Sequence, residues 1–277
     1  MPHPERYRLS TPLPVTGGRF AYDLAWLRQW GCHHVELALA EVAQLGEAGR
    51  QELKRSLDDA FIYVAAVVSG TPGRRSYGEG ALEDAFELAV FLSAACVVSP
   101  APASDDTDQW GRAEGQTWLA AAGALAEQAS IRLLVENRPG SLADSGQRVD
   151  RLLSLVDSRW VGVALDPAKF VELREHPFLV SFKPRKLKQR VGLLRISDAL
   201  FENGMPVPAG LGNAELKELV SALEVRGYRG FYSISSPAPG AGPEQIAQAF
   251  AAFGTLVSSL AVSSSLATSA PGGQRDE

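Results

Sequence analysis

Leu133-Leu134-Val135-Glu136-Asn137 places three large apolar residues directly before a carboxylate and an amide. The run is too short for a buried helix and suits a buried parallel strand whose charged end has reached a rim. The pattern returns thirty residues on as Val161-Gly162-Val163-Ala164-Leu165-Asp166, and again as Leu193-Leu194-Arg195-Ile196-Ser197-Asp198. Apolar strands ending in polar groups at this spacing predict a parallel barrel with its chemistry at one rim.

Five more runs bring the strands to eight: Tyr7–Ser10, His33–Leu37 with Glu36 near its end, Phe61–Val68, Cys96–Val98 and Phe231–Ile234. Residues at helical spacing lie between them, such as Leu82, Phe86, Ala89 and Val90, or Leu216, Leu219, Val220 and Leu223. Asp23 and Asn213 read as N-caps, and Gly31 and Gly227 as helix ends. The expected fold class is therefore α/β, an eight-stranded (β/α)8 TIM barrel. A doubly wound open sheet shares the alternation, but no Gly-rich nucleotide fingerprint follows the first strand.

With 277 residues the chain is close to the roughly 250 typical of such a barrel. The expectation is one domain over residues 1–262 and a disordered tail over 263–277, where Ser, Ala, Gly and charge take over. A formal net charge of −5 offers no electrostatic reason to expect nucleic acid or an anionic membrane surface. The two cysteines, Cys32 and Cys96, adjoin apolar strands and read as buried thiols. No apolar run is long enough to span a bilayer, and Met1–Arg6 lacks a secretory apolar region. A cytoplasmic location is expected.

From the strand carrying Glu136 onward, the motifs resemble those of the xylose-isomerase-like barrels, which include sugar phosphate isomerases and epimerases, inosose dehydratases and the endonuclease IV group. The family's strand ending in Glu-Asn is matched by Glu136-Asn137. Its Asp-x-x-His is matched in part by Asp166-Pro167-Ala168-Lys169. Its His-x-x-Asp is matched in part by Arg195-Ile196-Ser197-Asp198. A Gly-x-Gly loop and a Gly-Tyr-x-Gly turn follow as Gly210-Leu211-Gly212 and Gly227-Tyr228-Arg229-Gly230. The resemblance covers Tyr7 to Val262.

The resemblance implies a divalent ion held by two Glu, one Asp and one His, with the two Glu moving protons on opposite faces of a sugar. Of that set only Glu136 and Asp166 remain here. Arg195 stands in the place of the histidine ligand, Ser235 in that of the second Glu, and Lys169 in that of the other motif histidine. Ser69 and Ser99 stand where relatives often carry histidine. Arginine has no lone pair to give a metal and repels one. None of the four histidines, His3, His33, His34 and His176, matches a ligand position. The expectation is no metal and no cofactor.

Two functions follow. One is a sugar or sugar-phosphate isomerase or epimerase that works without a divalent ion. Its catalytic residues would be Glu136 as base, Asp166 as orienter, and Lys169 and Arg195 as stabilisers of oxyanion charge. Asn137, Lys183, Asp198, Ser235, Arg74 and Arg75 would bind substrate. The other is a binding protein holding a small carbohydrate or anion in the same cleft without turnover. Lys183, Arg185, Lys186 and Lys188 read either as a solvated basic loop or as a ligand clamp. Arg74 and Arg75 likewise read as surface or rim. The expected partner is a small sugar or sugar phosphate, with no nucleic acid, no membrane, and a homodimer left open. DNA repair fits poorly, because the histidine-rich metal cluster is gone and the net charge is negative.

Overall fold

Eight strands close into a parallel barrel in the computed structural model, which describes residues 6–16, 19–20, 23–70, 80–103, 110–183, 187–237 and 240–268. They are β1 (Leu9–Pro12), β2 (His34–Ala38), β3 (Tyr63–Val68), β4 (Cys96–Pro100), β5 (Arg132–Glu136), β6 (Val161–Leu165), β7 (Val191–Ile196) and β8 (Phe231–Ile234). Each strand pairs with its neighbours in sequence, and β1 closes the ring on β8 through Leu9 opposite Tyr232 and Ser10 opposite Ser233. This is the (β/α)8 barrel that the alternation predicts.

Side chains alternate along every strand between the barrel axis and the surrounding helices. The apolar residues accordingly fall into two clusters. A large one, including Leu133, Val135, Leu165 and Ile196, packs the outer sheet face against the helices. A small one, including Cys96, Leu134, Ala164, Leu193 and Phe231, fills the axis. Two residues on from Leu134 is Glu136; from Ala164, Asp166; from Leu193, Arg195; from Phe231, Ser233. The inward rows thus pass from an apolar plug to polar groups at the C-terminal rim.

The Gly227-Tyr228-Arg229-Gly230 turn has a steric reason. Gly227, at φ +70°, ends the helix Leu216–Val225. A Cβ on Gly230 would stand 2.3 Å from the Gly192 carbonyl oxygen of β7 and 2.3 Å from the Tyr228 hydroxyl. Only glycine admits that approach. Replacing Gly230 with alanine is expected to destabilise the barrel by about 1–3 kcal/mol, read as a loss of several degrees in Tm; an unchanged Tm would show that β7 and β8 tolerate separation there.

Several local expectations are revised. The stretch with Lys183 and Lys188, expected as a basic loop or a ligand clamp, is bordered by the short helix Pro177–Phe182 and includes part of a second, Leu187–Arg190. Pro177 at the first helical position starts one of them. Arg185 and Lys186 lie outside the described residues, as do Arg74 and Arg75. Asn213 does not cap a helix: its side chain accepts from the Phe201 backbone N–H at 2.9 Å. Asp23 does cap one, accepting from Ala25 N–H at 2.7 Å. The last helix, Pro243–Thr268, runs past Val262, and residues 269–277 lie outside the described residues. Two short antiparallel ladders, Val15–Thr16 with Arg19–Phe20 and Asp198–Ala199 with Pro206–Val207, decorate the rim. Both cysteines are free and buried, and burial pushes each thiol up to about 12. Among the described residues, no helix is long and apolar enough to cross a membrane.

Candidate functional site

The inward rows open into a cavity of about 700 Å³ lined by Glu36, Glu136, Asp166, Lys169, Arg195 and Ser235, among others. That volume lies in the range of small-molecule sites. Four residues expected to be catalytic, Glu136, Asp166, Lys169 and Arg195, therefore meet at one rim. Ser235 lines the cavity from just beyond β8.

Arg195 is held by groups far apart in sequence. Its Nε and Nη2 donate to Glu136 Oε1 at 3.3 and 3.0 Å. Its Nη1 donates to Ser233 Oγ at 3.0 Å and to Glu36 Oε2 in a short ion pair. Glu36 is only 2% exposed and also accepts from Ser10 Oγ at 2.8 Å. Burial works against the guanidinium's charge, but Glu36, Glu136 and Asp166 outweigh it and hold the pKa above its ordinary value. Glu36 was not expected in the site. The available signal was a carboxylate inside the apolar run His34-Val35-Glu36-Leu37, two residues from the inward-facing His34.

Glu136 is clamped on both oxygens. Oε1 takes Arg195 and Oε2 takes Arg138 Nη2 at 2.9 Å. Burial alone would raise its pKa, yet the two guanidiniums outweigh that and bring it below the usual carboxylate range. A carboxylate so held is a poor base, so the geometry turns Glu136 from proton acceptor to anchor for Arg195.

Asp166 is the contrasting carboxyl. Its Oδ1 accepts from Ser197 Oγ at 2.5 Å and from Ala168 N–H at 3.1 Å, capping the helix Pro167–Glu172. Its Oδ2 has no hydrogen-bond donor among the described residues. Burial lifts its pKa above the usual aspartate value, against the lowering pull of Ser197 and Lys169. Lys169, one turn along that helix, donates to Glu172 Oε1 at 2.5 Å rather than to Asp166 or Glu136. Burial would lower its pKa, but Glu172 and Asp166 outweigh it, so the ammonium stays charged.

Three residues expected to bind substrate have other places. Asn137 lies on the outward parity of β5. Its amide donates to the Asp166 carbonyl at 2.8 Å and accepts from the Asp166 N–H at 2.7 Å, tying the ends of β5 and β6 together. It borders the cavity but has this structural task. Asp198 is buried outside the cavity and accepts four backbone N–H groups, from Ala199, Gly210, Gly212 and Ala214. A Cβ on Gly212 would stand 2.3 Å from Asp198 Oδ1, which accounts for the second glycine of the Gly-x-Gly loop; the first, Gly210, stands at φ +87°. Lys183 is exposed at the end of its helix and does not line the cavity. His34 lies toward the opposite, N-terminal end of the barrel, packed on Phe231 and Tyr63, with its pKa lowered to about 4 by burial and Arg8. It belongs to the plug.

The family's divalent ion does not suit this donor set. Arg195 fills the oxygens of Glu36 and Glu136 that face it, and it brings positive charge to the same place. Among the described residues, no three His, Cys, Asp or Glu side chains are grouped to hold a metal ion.

The family model described as xylose isomerase-like TIM barrel matches residues 24–255. Solved structures of the same shape include three informative ones. A xylose isomerase domain protein from Planctomyces limnophilus superposes with a TM-score of 0.74 at 16% identity, covering 92% of this chain and 98% of its own. The 3-keto-D-glucoside 4-epimerase of E. coli, in its apo form, gives 0.69 at 13%, covering 91% and 99%. A xylose isomerase-like TIM barrel protein from Mycobacterium smegmatis, in complex with magnesium, gives 0.68 at 17%, covering 93% and 98%. At such identities the likeness speaks for the fold alone. A comparison with curated protein sequences gives no match.

Proposed function

This chain belongs to the xylose isomerase-like TIM barrel family, and from that premise we propose that it is a sugar isomerase- or epimerase-like enzyme. It moves a proton on a small polyhydroxylated substrate without a bound divalent ion. The observation that carries this reading is the split between two neighbouring carboxyls. Glu136 is pinned and kept ionised, while Asp166 presents a free oxygen on the cavity wall with a raised pKa. Environments that push two carboxyls apart in this way separate their chemical roles. Asp166 takes the proton from, or returns it to, a carbon next to a carbonyl. Ser197 and the Ala168 N–H hold it in position. Lys169, beside it, supports negative charge developing on the substrate oxygen. Arg195 is the rigid centre of the rim: four of its five N–H groups are engaged, leaving one on Nη2 for a substrate oxygen.

The competing reading is a binding protein that uses the same cleft without turnover. It is favoured by Ser235, which leaves no second carboxylate at the last strand for a two-carboxylate mechanism. Deuterium from heavy water separates the two. A bound sugar that exchanges its carbon-bound proton supports the enzyme; binding without exchange supports the binder.

The metal question has its own test. Dialysis against a chelator is expected to leave Tm unchanged, and Mn²⁺ is expected to give no stoichiometric binding. An Arg next to the site opposes a cation by up to about 4 kcal/mol per unit charge at 4 Å for an effective dielectric of 20. Restoring Arg195→His, Ser235→Glu and Lys169→His together should improve Mn²⁺ affinity. Stoichiometric metal retained by the wild type at Glu36, Glu136 and Asp166 would overturn the metal-free reading.

A further inference from the structure

We propose that the cleft selects its ligand by charge: it takes a carbohydrate that bears no phosphate and favours one that bears an amine. The inference rests on reading the cavity as a carbohydrate site, and it narrows what that site accepts.

Among the described residues, the lining carries five carboxylates, Glu36, Glu41, Glu136, Asp166 and Glu172, against three cations, Arg138, Lys169 and Arg195, a formal net charge of −2. The arrangement matters more than the sum. Every one of these cations is already committed. Arg195 is fixed between Glu36 and Glu136, Arg138 is on Glu136, and Lys169 is on Glu172. Those two groups are each balanced. The surplus charge is therefore Asp166 and Glu41.

Each surplus carboxylate uses one oxygen on the protein and keeps one back. Asp166 Oδ1 takes Ser197 and Ala168, and Glu41 Oε2 takes the Val15 N–H at 2.8 Å. Asp166 Oδ2 and Glu41 Oε1 have no hydrogen-bond donor among the described residues. The walls include Pro12, Leu13, Pro14, Ala38, Val68 and Pro139. Such walls suit the C–H faces of a sugar ring, and they lower the local dielectric, which magnifies charge effects.

A phosphate entering this cavity could reach only N–H groups of Arg195 and Lys169, two cations whose charge protein carboxylates already balance, while it lies against the surplus negative charge of Asp166 and Glu41. The net charge of the lining opposes it. A neutral polyol meets no such opposition. An ammonium can pair with Asp166 Oδ2 or Glu41 Oε1, neither of which holds a proton donor among the described residues.

The test uses matched sets of hexoses: glucose, glucosamine and glucose 6-phosphate, with the corresponding mannose and galactose sets. Binding to the full chain is followed by ligand-observed NMR and competition. Within a set, the expected order is amine, then neutral sugar, then phosphate, with each step about tenfold. The spread should narrow as salt rises from about 0.05 to 0.5 M. Glu41→Gln keeps an acceptor for the Val15 N–H but removes one surplus charge. It should shrink the amine-to-phosphate ratio about tenfold. If that variant fails to fold, the salt dependence of the wild type reads the same quantity. Phosphorylated hexoses binding as tightly as their neutral partners would overturn charge selection while leaving the carbohydrate site standing. No hexose of any charge binding would overturn the carbohydrate reading, and this inference with it.

Discussion

Arg195→Ala is expected to cost about 3–5 kcal/mol, the range for removing one partner of a buried ion pair, and to lower Tm by about 10 °C. The reason is what it leaves behind. Glu36 and Glu136 are 2% and 8% exposed, and Arg195 is their shared counter-charge. Without it, Glu36 has no counter-charge left among the described residues and Glu136 keeps only Arg138, so burial disfavours the ionised carboxyls in the folded variant.

The pH dependence then has a definite sign. In the wild type, the folded pKa of Glu136 is depressed. Its contribution is present above the unfolded value of about 4.3 and is lost as pH falls through the folded pKa. In the variant the folded pKa values are raised, so the folded state binds extra protons between about 4.3 and those values. Stability therefore climbs as pH falls from neutral into that window. The two proteins should be furthest apart at neutral pH and converge near pH 5. Adding Glu36→Gln and Glu136→Gln to the variant should restore much of the loss, since no stranded charge remains. A variant as stable as the wild type at pH 7.5 in thermal unfolding would show that Arg195 is not what neutralises this cluster.

The second large effect concerns activity. Asp166→Asn is expected to lower the rate of proton exchange by about 10²–10⁴-fold, the usual contribution of a general acid or base. It should leave Tm nearly unchanged. Asparagine keeps an oxygen for Ser197 and the Ala168 N–H, so the cap survives, and only the transferable proton is lost. Glu136→Gln should do the reverse, reducing stability first because it loosens Arg195. The wild-type rate should rise with pH through an ionisation above the ordinary aspartate range, because burial raises the Asp166 pKa and the base form must be ionised. Loss of exchange in Glu136→Gln with full stability, beside an active Asp166→Asn, would return the base role to Glu136.

The barrel itself was legible in the order of residues. Short apolar runs ending in polar groups, repeated with helical segments between, can be satisfied by few architectures, because each run must bury both faces. Even the direction of the rim residues follows from the period of two: Glu136, Asp166 and Arg195 each stand two places beyond an inward apolar residue. The same parity sends Asn137 away from the axis, so its structural use was readable in principle. The Gly-Tyr-x-Gly and Gly-x-Gly signatures each pair a glycine at positive φ, Gly227 and Gly210, with one that needs clearance, Gly230 against β7 and Gly212 against Asp198.

What the tertiary structure alone decided is which charge answers which. Arg195 and Glu36 are 159 residues apart, and nothing local to either marks the other. Lys169 and Asp198 look like rim chemistry in one dimension, yet one binds its helical neighbour Glu172 and the other gathers a loop. A charged residue type is compatible with a ligand site, an ion pair or a cap. The choice among them depends on distances of about 3 Å, and those are set only when the barrel closes and brings β2, β5 and β7 around one axis.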